Sequence, residues 1–193
     1  MKKPNNYDNT QSYGEFEPLE LGGHICRIIK VEECISSTDK AMIRIYIDIA
    51  EGNQKDYYLK QYEADTREQK KWGCIVYQLV EDNEGNTNKG FKTFITAVGK
   101  SNSTFDESKI WDESFCTYFK NKLVGGVFGR EQYQNQKGEL KWAIKCVQFR
   151  DIETIKKGVE VPEDKYLADG GPMFSMPESP IQGYNVDDDD LPF

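Results

Sequence analysis

"AMIRIYIDIA", residues Ala41 to Ala50, sets Ile43, Ile45, Ile47 and Ile49 on one side of the chain and Met42, Arg44, Tyr46 and Asp48 on the other. That period of two is the pattern of a half-buried β-strand. Upstream, "HICRIIKVEEC" from His24 to Cys34 is β-branched and follows Gly22-Gly23, so it reads as a neighbouring strand. Downstream, Glu51-Gly52-Asn53 turns the chain into "KDYYLKQY", Lys55 to Tyr62, which is predicted to be the third strand of a meander. "WGCIVYQLV", Trp72 to Val80, is too short for periodicity to separate strand from helix.

The period then changes. In "FKTFITAV", Phe91, Phe94, Ile95 and Val98 fall at i, i+3, i+4 and i+7, which predicts a short helix. "KLVGGVFGREQYQ" and "KWAIKCVQF" flank Gln136-Lys137-Gly138 and read as a long hairpin, with Gly125, Gly126 and Gly129 marking bulges or a tight bend. Three strands, a helix and a hairpin is the element order of an OB-fold, a five-stranded Greek-key barrel that takes oligonucleotides or oligosaccharides. The fold class expected is mainly β: an OB-fold barrel with one or two short helices and an acidic C-terminal tail.

The 193 residues divide by composition. We expect an N-terminal arm over 1–20, the barrel over 21–157, a flexible linker over 158–185 and a short tip over 186–193. The linker holds Pro162, Pro172, Pro177 and Pro180 among several glycines. Such a stretch buries too little apolar surface to offset the entropy of ordering it. As a coil it would spread roughly 25 to 30 Å between its ends. The net charge of −8 is also uneven: residues 1–149 carry 21 Lys+Arg against 22 Asp+Glu, whereas residues 150–193 carry 4 against 11. A nearly neutral body can still present a basic groove, because field follows arrangement and not the sum.

Several function classes find little support. No stretch approaches the roughly 20 apolar residues of a membrane span, and the start of the chain lacks the apolar run of a signal peptide, so a cytoplasmic location is expected. The five cysteines are an odd number without a C-x-x-C pair, which speaks against a disulfide framework or a zinc knuckle. The one histidine, His24, reads as a strand-edge residue and not as a base or ligand. Gly99-Lys100-Ser101 lacks the upstream glycine of a phosphate loop and closes a helix where that loop would open one. Asp48 and Glu51 could join a metal site, but read as a solvated acidic pair. No catalytic residue, metal or cofactor is assigned, and the chain is expected not to be an enzyme.

Aromatic and basic residues, by contrast, are interleaved repeatedly. The candidates for a nucleic-acid groove are Tyr58, Lys60, Tyr62, Lys70, Lys71, Trp72, Arg130, Tyr133, Lys141 and Trp142. Bases stack on rings while lysine and arginine follow the phosphates, the combination that single strands require. Trp72, beside two lysines, is the foremost stacking candidate. In "YYLKQY" the expected strand would set Tyr58, Lys60 and Tyr62 on a single binding face. Sheets are naturally aromatic and charged outside, so each residue alone reads equally well as ordinary sheet.

The tip is the most specific stretch: Asp187, Asp188, Asp189, Asp190, Leu191, Pro192 and Phe193. A solvating acidic tail would not expose an aromatic ring. The tip resembles the C-terminal peptide of bacterial single-stranded DNA-binding proteins, a run of aspartates followed by an aliphatic residue, proline and phenylalanine. That resemblance implies a docking peptide whose ring fills an apolar pocket on a replication, recombination or repair partner, while basic residues hold its charges. The middle of the body, "DIAEG", "YYLKQYEADTREQKKW" and "GFKTFITAVGKSN", resembles phage and prophage proteins encoded near recombination genes, over roughly residues 15 to 150. It implies single-stranded DNA binding in a bacterial host cell. An adaptor for protein or sugar and a cryptic metal-dependent nuclease stay open as alternatives. The oligomeric state, DNA against RNA preference and the role of residues 100–121 are left open by the sequence.

Overall fold

The structure, a computed structural model, describes residues 2–5, 7, 17–135 and 137–167. Five strands form one antiparallel sheet: β1 (Gly22–Ile35), β2 (Ala41–Ile49), β3 (Ile75–Leu79), β4 (Leu123–Gln134) and β5 (Leu140–Arg150). Their order is β3-β2-β1-β4-β5. Helix α1 (Tyr57–Ala64) lies between β2 and β3, α2 (Lys89–Ser101) between β3 and β4, and α3 (Ile152–Lys157) after β5. Among the described residues, no helix is long and apolar enough to cross a membrane.

The isoleucines of β2 meet the expectation: Ile43, Ile45, Ile47 and Ile49 are all buried. β1 is long because it serves two neighbours. Residues Gly22 to Arg27 pair with Phe128 to Leu123 of β4, and Cys26 to Ile35 pair with β2, with a register shift between Ile28 and Lys30. His24, partly exposed, lies on the half of β1 that pairs with β4 alone. Its Nε2 lies 2.8 Å from the Glu20 carbonyl, and its ring meets Phe128 edge-on at 5.4 Å.

α2 is helical as its spacing predicts, with Phe91, Phe94, Ile95, Ala97 and Val98 buried. The Asn88 side chain caps its first turn by accepting from the Gly90 N–H at 2.8 Å. Gly99, Lys100 and Ser101 close the helix. Residues 100–121 have a packing role. Their two short 3₁₀ turns, Glu107–Lys109 and Phe115–Phe119, accompany Ile110, Phe115 and Phe119 into the core. There Phe119 stacks on Phe94 at 5.3 Å, and Phe149 of β5 meets Phe94 at 5.0 Å.

Three expectations are corrected. Lys55 to Tyr62 does not form the third strand; Tyr57–Ala64 is helix α1, and the third strand is Ile75–Leu79, within the stretch that periodicity left undecided. The hydrogen-bonded sheet does not close into a barrel, since β3 and β5 are both edges. β3 has only five residues, and it is the residue just before it that reaches β5: the buried Cys74 thiol faces the backbone of Cys146 on β5 and the Tyr58 hydroxyl of α1.

The third correction concerns residues 159–167, assigned on composition to the linker, which pack on the body. They form a strap along the part of β4 that β1 leaves open. The Lys165 N–H donates to the Arg130 carbonyl at 2.9 Å, and the Gln132 N–H to the Lys165 carbonyl at 2.8 Å, a parallel bridge. Pro162 rests on Gly129, where an added Cβ would come within 3.0 Å of the proline ring. An edge-docked strap needs backbone groups and a few contacts, not a core of its own, so low apolar content does not forbid it. At the other terminus, Pro18 and Glu20 of the predicted arm clasp Gln54, and Leu19 is buried. The tip, Asp187 to Phe193, lies outside the described residues.

Candidate nucleic-acid interface

The first half of the candidate site is organised by Asp48. This carboxylate is almost fully buried at the end of β2. Oδ1 accepts from the Ile49 and Tyr58 N–H groups at 2.8 and 2.9 Å, and Oδ2 from the Leu59 N–H at 3.2 Å. It thus satisfies donors in the first turn of α1 that no helical carbonyl can reach. Asp56, the residue that begins the helix, sits in the left-handed region at φ 58° and gives no side-chain cap. Its carboxylate pairs with Arg27 at 3.2 Å instead. Burial pushes the Asp48 pKa above its ordinary value, with the three N–H groups pulling the other way. Asp48 is therefore a helix cap supplied from a strand, neither a solvated acid nor one of a metal-binding pair with Glu51.

Helical geometry sorts the "YYLKQY" residues differently from the expected strand. Tyr58 points into the core, 5% exposed, and is withdrawn from the candidate list. Lys60 is exposed on the far side, its Nζ donating to the Lys55 carbonyl at 2.8 Å. Tyr62, one turn after Tyr58, emerges against Trp72, with ring centroids 5.6 Å apart. Lys70 places its Nζ 5.5 Å from the centre of the Tyr62 ring. Trp72 is half-buried and oriented by its indole N–H, which donates to the Ile47 carbonyl at 2.8 Å. Lys71 is exposed next to it in the chain. Tyr62, Lys70 and Trp72 thus form one surface cluster in which a cation lies over the Tyr62 ring and that ring packs at a tilt against Trp72.

The second half lies on the β4–β5 hairpin. Tyr133 pairs with Lys141 across the strands, and Gln132 with Trp142. The Arg130 guanidinium lies 5.2 Å from the centre of the Trp142 ring. β3 and β5 run in the same direction, since each is separated from β1 by antiparallel steps. Trp72 precedes Cys74, and Trp142 precedes Cys146, the two residues that face each other across the gap.

Two residues of this surface escape sequence reasoning. Asp164 of the strap grips Arg130 through both carboxylate oxygens, with the Nε bond at 2.9 Å and a second, shorter bond from the terminal nitrogen. This pairing lowers the pKa of Asp164 and raises that of Arg130. Tyr166, 64% exposed, meets Trp142 edge-on at 5.1 Å. Elsewhere, Trp111, 58% exposed, stacks on Phe115 at 5.7 Å and overlooks a groove of about 660 Å³ whose lining includes Ile35, Met42, Glu33 and Asp112. The carboxylates of that groove make it poorly suited to a phosphodiester. The signal that could have found Trp111 and Tyr166 is an aromatic residue set among acidic ones, "KIWDE" and "EDKYL".

The comparisons with known proteins leave the reading to this geometry: no protein-family model matches the chain, and the search of curated proteins likewise found no match.

Proposed function

We propose that the chain binds single-stranded DNA with little sequence preference, on a sheet of OB type left open between β3 and β5, and that it recruits replication or recombination proteins through Asp187 to Phe193. The observation that carries this reading is the pair of surface clusters, Tyr62–Lys70–Trp72 and Arg130–Trp142, in each of which a cation lies against an aromatic ring. Bases stack on such rings for about 1 to 3 kcal/mol each while the cations meet phosphate. The strand order supports it, because opening a closed OB barrel between its third and fifth strands leaves β3-β2-β1-β4-β5 with a helix between β3 and β4.

Titration with oligo-dT is expected to quench tryptophan fluorescence and to weaken with salt. Lys70→Gln should lower the slope of log affinity against log salt by about 0.7, the value of one single-strand phosphate contact. Trp72→Ala should weaken binding about tenfold or more. Absence of quenching at low salt sinks the proposal. Cleavage of the oligonucleotide when magnesium is added would favour a nuclease instead.

Partner docking has its own test. Immobilised chain should capture single-stranded DNA-processing proteins of the host, and Phe193→Ala should weaken a captured partner at least about 30-fold, as loss of an anchor in an apolar pocket does. DNA affinity should change much less. A partner that binds equally without the Phe193 ring would show that the tip is not a docking peptide.

A further inference from the structure

The strap meets the hairpin half of the proposed site with a carboxylate and an aromatic ring. Arg130 offers a guanidinium fork suited to a carboxylate or a phosphate, and Asp164 fills both prongs. Trp142 offers a ring, and Tyr166 packs against it. Asp164 and Tyr166 are two residues apart, so along an extended segment their side chains emerge on the same side, about 6.6 Å from each other. The strap is acidic overall, with Glu160, Glu163 and Asp164 against Lys165. Its backbone hold on β4 is slight: among the described residues it amounts to the two bonds made by Lys165, supplemented by the Leu167 N–H donating to Gln132 Oε1 at 3.3 Å. Pro162, seated on Gly129, has no N–H to donate.

We propose that Arg130 and Trp142 form a nucleotide subsite for one phosphate and one base, and that residues 159–167 are a built-in competitor which single-stranded DNA must displace, Asp164 standing in the phosphate position and Tyr166 covering the ring. This rests on the nucleic-acid reading above and adds that the hairpin half of the site is closed at rest, while the Tyr62–Lys70–Trp72 half is open. Binding then proceeds from the open cluster, and the hairpin engages only when DNA releases the strap. Loss of the Asp164–Arg130 pair should loosen the strap without touching the core, since both side chains are exposed or partly so.

The test uses the full-length chain and fluorescein-labelled oligo-dT. D164N should raise affinity about threefold at low salt, and the D164N/Y166A double variant about tenfold, the range of an exposed ion pair with and without an added ring contact. Hydrogen exchange should show the amides of Lys165 and Gln132 protected in the free protein and deprotected when oligo-dT is bound. Unchanged affinity in D164N, weaker binding in Y166A, or amides that stay protected in the complex would each overturn the competitor role while leaving DNA binding intact. If neither wild type nor variants bind oligo-dT, the nucleic-acid reading itself fails, and this inference with it.

Discussion

Asp48→Ala is expected to lower the free energy of unfolding by about 3 kcal/mol, because the N–H groups of Ile49, Tyr58 and Leu59 lose their common acceptor together. An orphaned buried donor costs about 1 to 3 kcal/mol, and water at the partly exposed Leu59 end recovers some of the loss. Asp48→Asn should fall between, since its carbonyl can still serve Ile49 and Tyr58 while its amide opposes the Leu59 N–H. Urea denaturation checks both values, and a loss under about 1 kcal/mol for alanine would mean that α1 caps itself another way. The pH dependence has a definite sign. The folded pKa is raised, so the native state holds this proton more tightly than the unfolded chain. Asp48's titrating contribution is fully present below the ordinary carboxylate range and is lost as pH rises through the folded value. The gap between wild type and alanine variant should accordingly be widest in acid. Because α1 carries Tyr62, the variant should also loosen the Tyr62–Lys70–Trp72 cluster and weaken oligo-dT binding more than its distance from the surface suggests.

Phe94→Ala is expected to cost more, about 4 kcal/mol. Phe94 is wholly buried and is the ring through which α2, the 100–121 segment and β5 touch one another, by way of Phe119 and Phe149. Removing it forfeits transfer energy and leaves a void that three elements would have to move to fill. Phe94→Leu retains most of the volume and should cost about 1 to 2 kcal/mol. Guanidinium unfolding followed by tryptophan fluorescence distinguishes the two, since Trp111 lies on the 100–121 segment and packs on Phe115. If alanine and leucine variants unfold at the same denaturant concentration, the Phe94 ring is not the keystone of this core.

What the sequence disclosed depended on how local the deciding forces were. β2 and α2 were legible because each carries a full period of apolar residues that matches its burial, and the β4–β5 hairpin because a turn signal, Gln136-Lys137-Gly138, separates its arms in the sequence. "YYLKQY" misled because Tyr58, Lys60 and Tyr62 satisfy a period of two, while Tyr58 and Tyr62 alone satisfy one helical turn just as well. The choice was made by Asp48, ten residues upstream of Tyr58, which offers its carboxylate to the first turn of a helix. Of the ten predicted contact residues, Tyr62, Lys70, Trp72, Arg130 and Trp142 are brought into two clusters. Tyr58 fails since a ring's direction follows the element that bears it. Asp164 and Tyr166 were overlooked because composition judges a segment by the core it could build alone, and this one leans on β4.

The division of β1 between two partners bears on how the chain is made. Its second half finds β2 within a few residues, whereas Gly22 to Arg27 must wait for Leu123 to Phe128, about 100 residues later. At synthesis rates of about 5 to 20 residues per second, that is roughly 5 to 20 s. During this interval the nascent chain carries a long, unpaired strand edge with Ile25 and Cys26 uncovered. Synthesis thus makes the strands available in order: β1, β2 and β3 can pair before β4 and β5 exist, and the strap, which follows β5, can dock only after them.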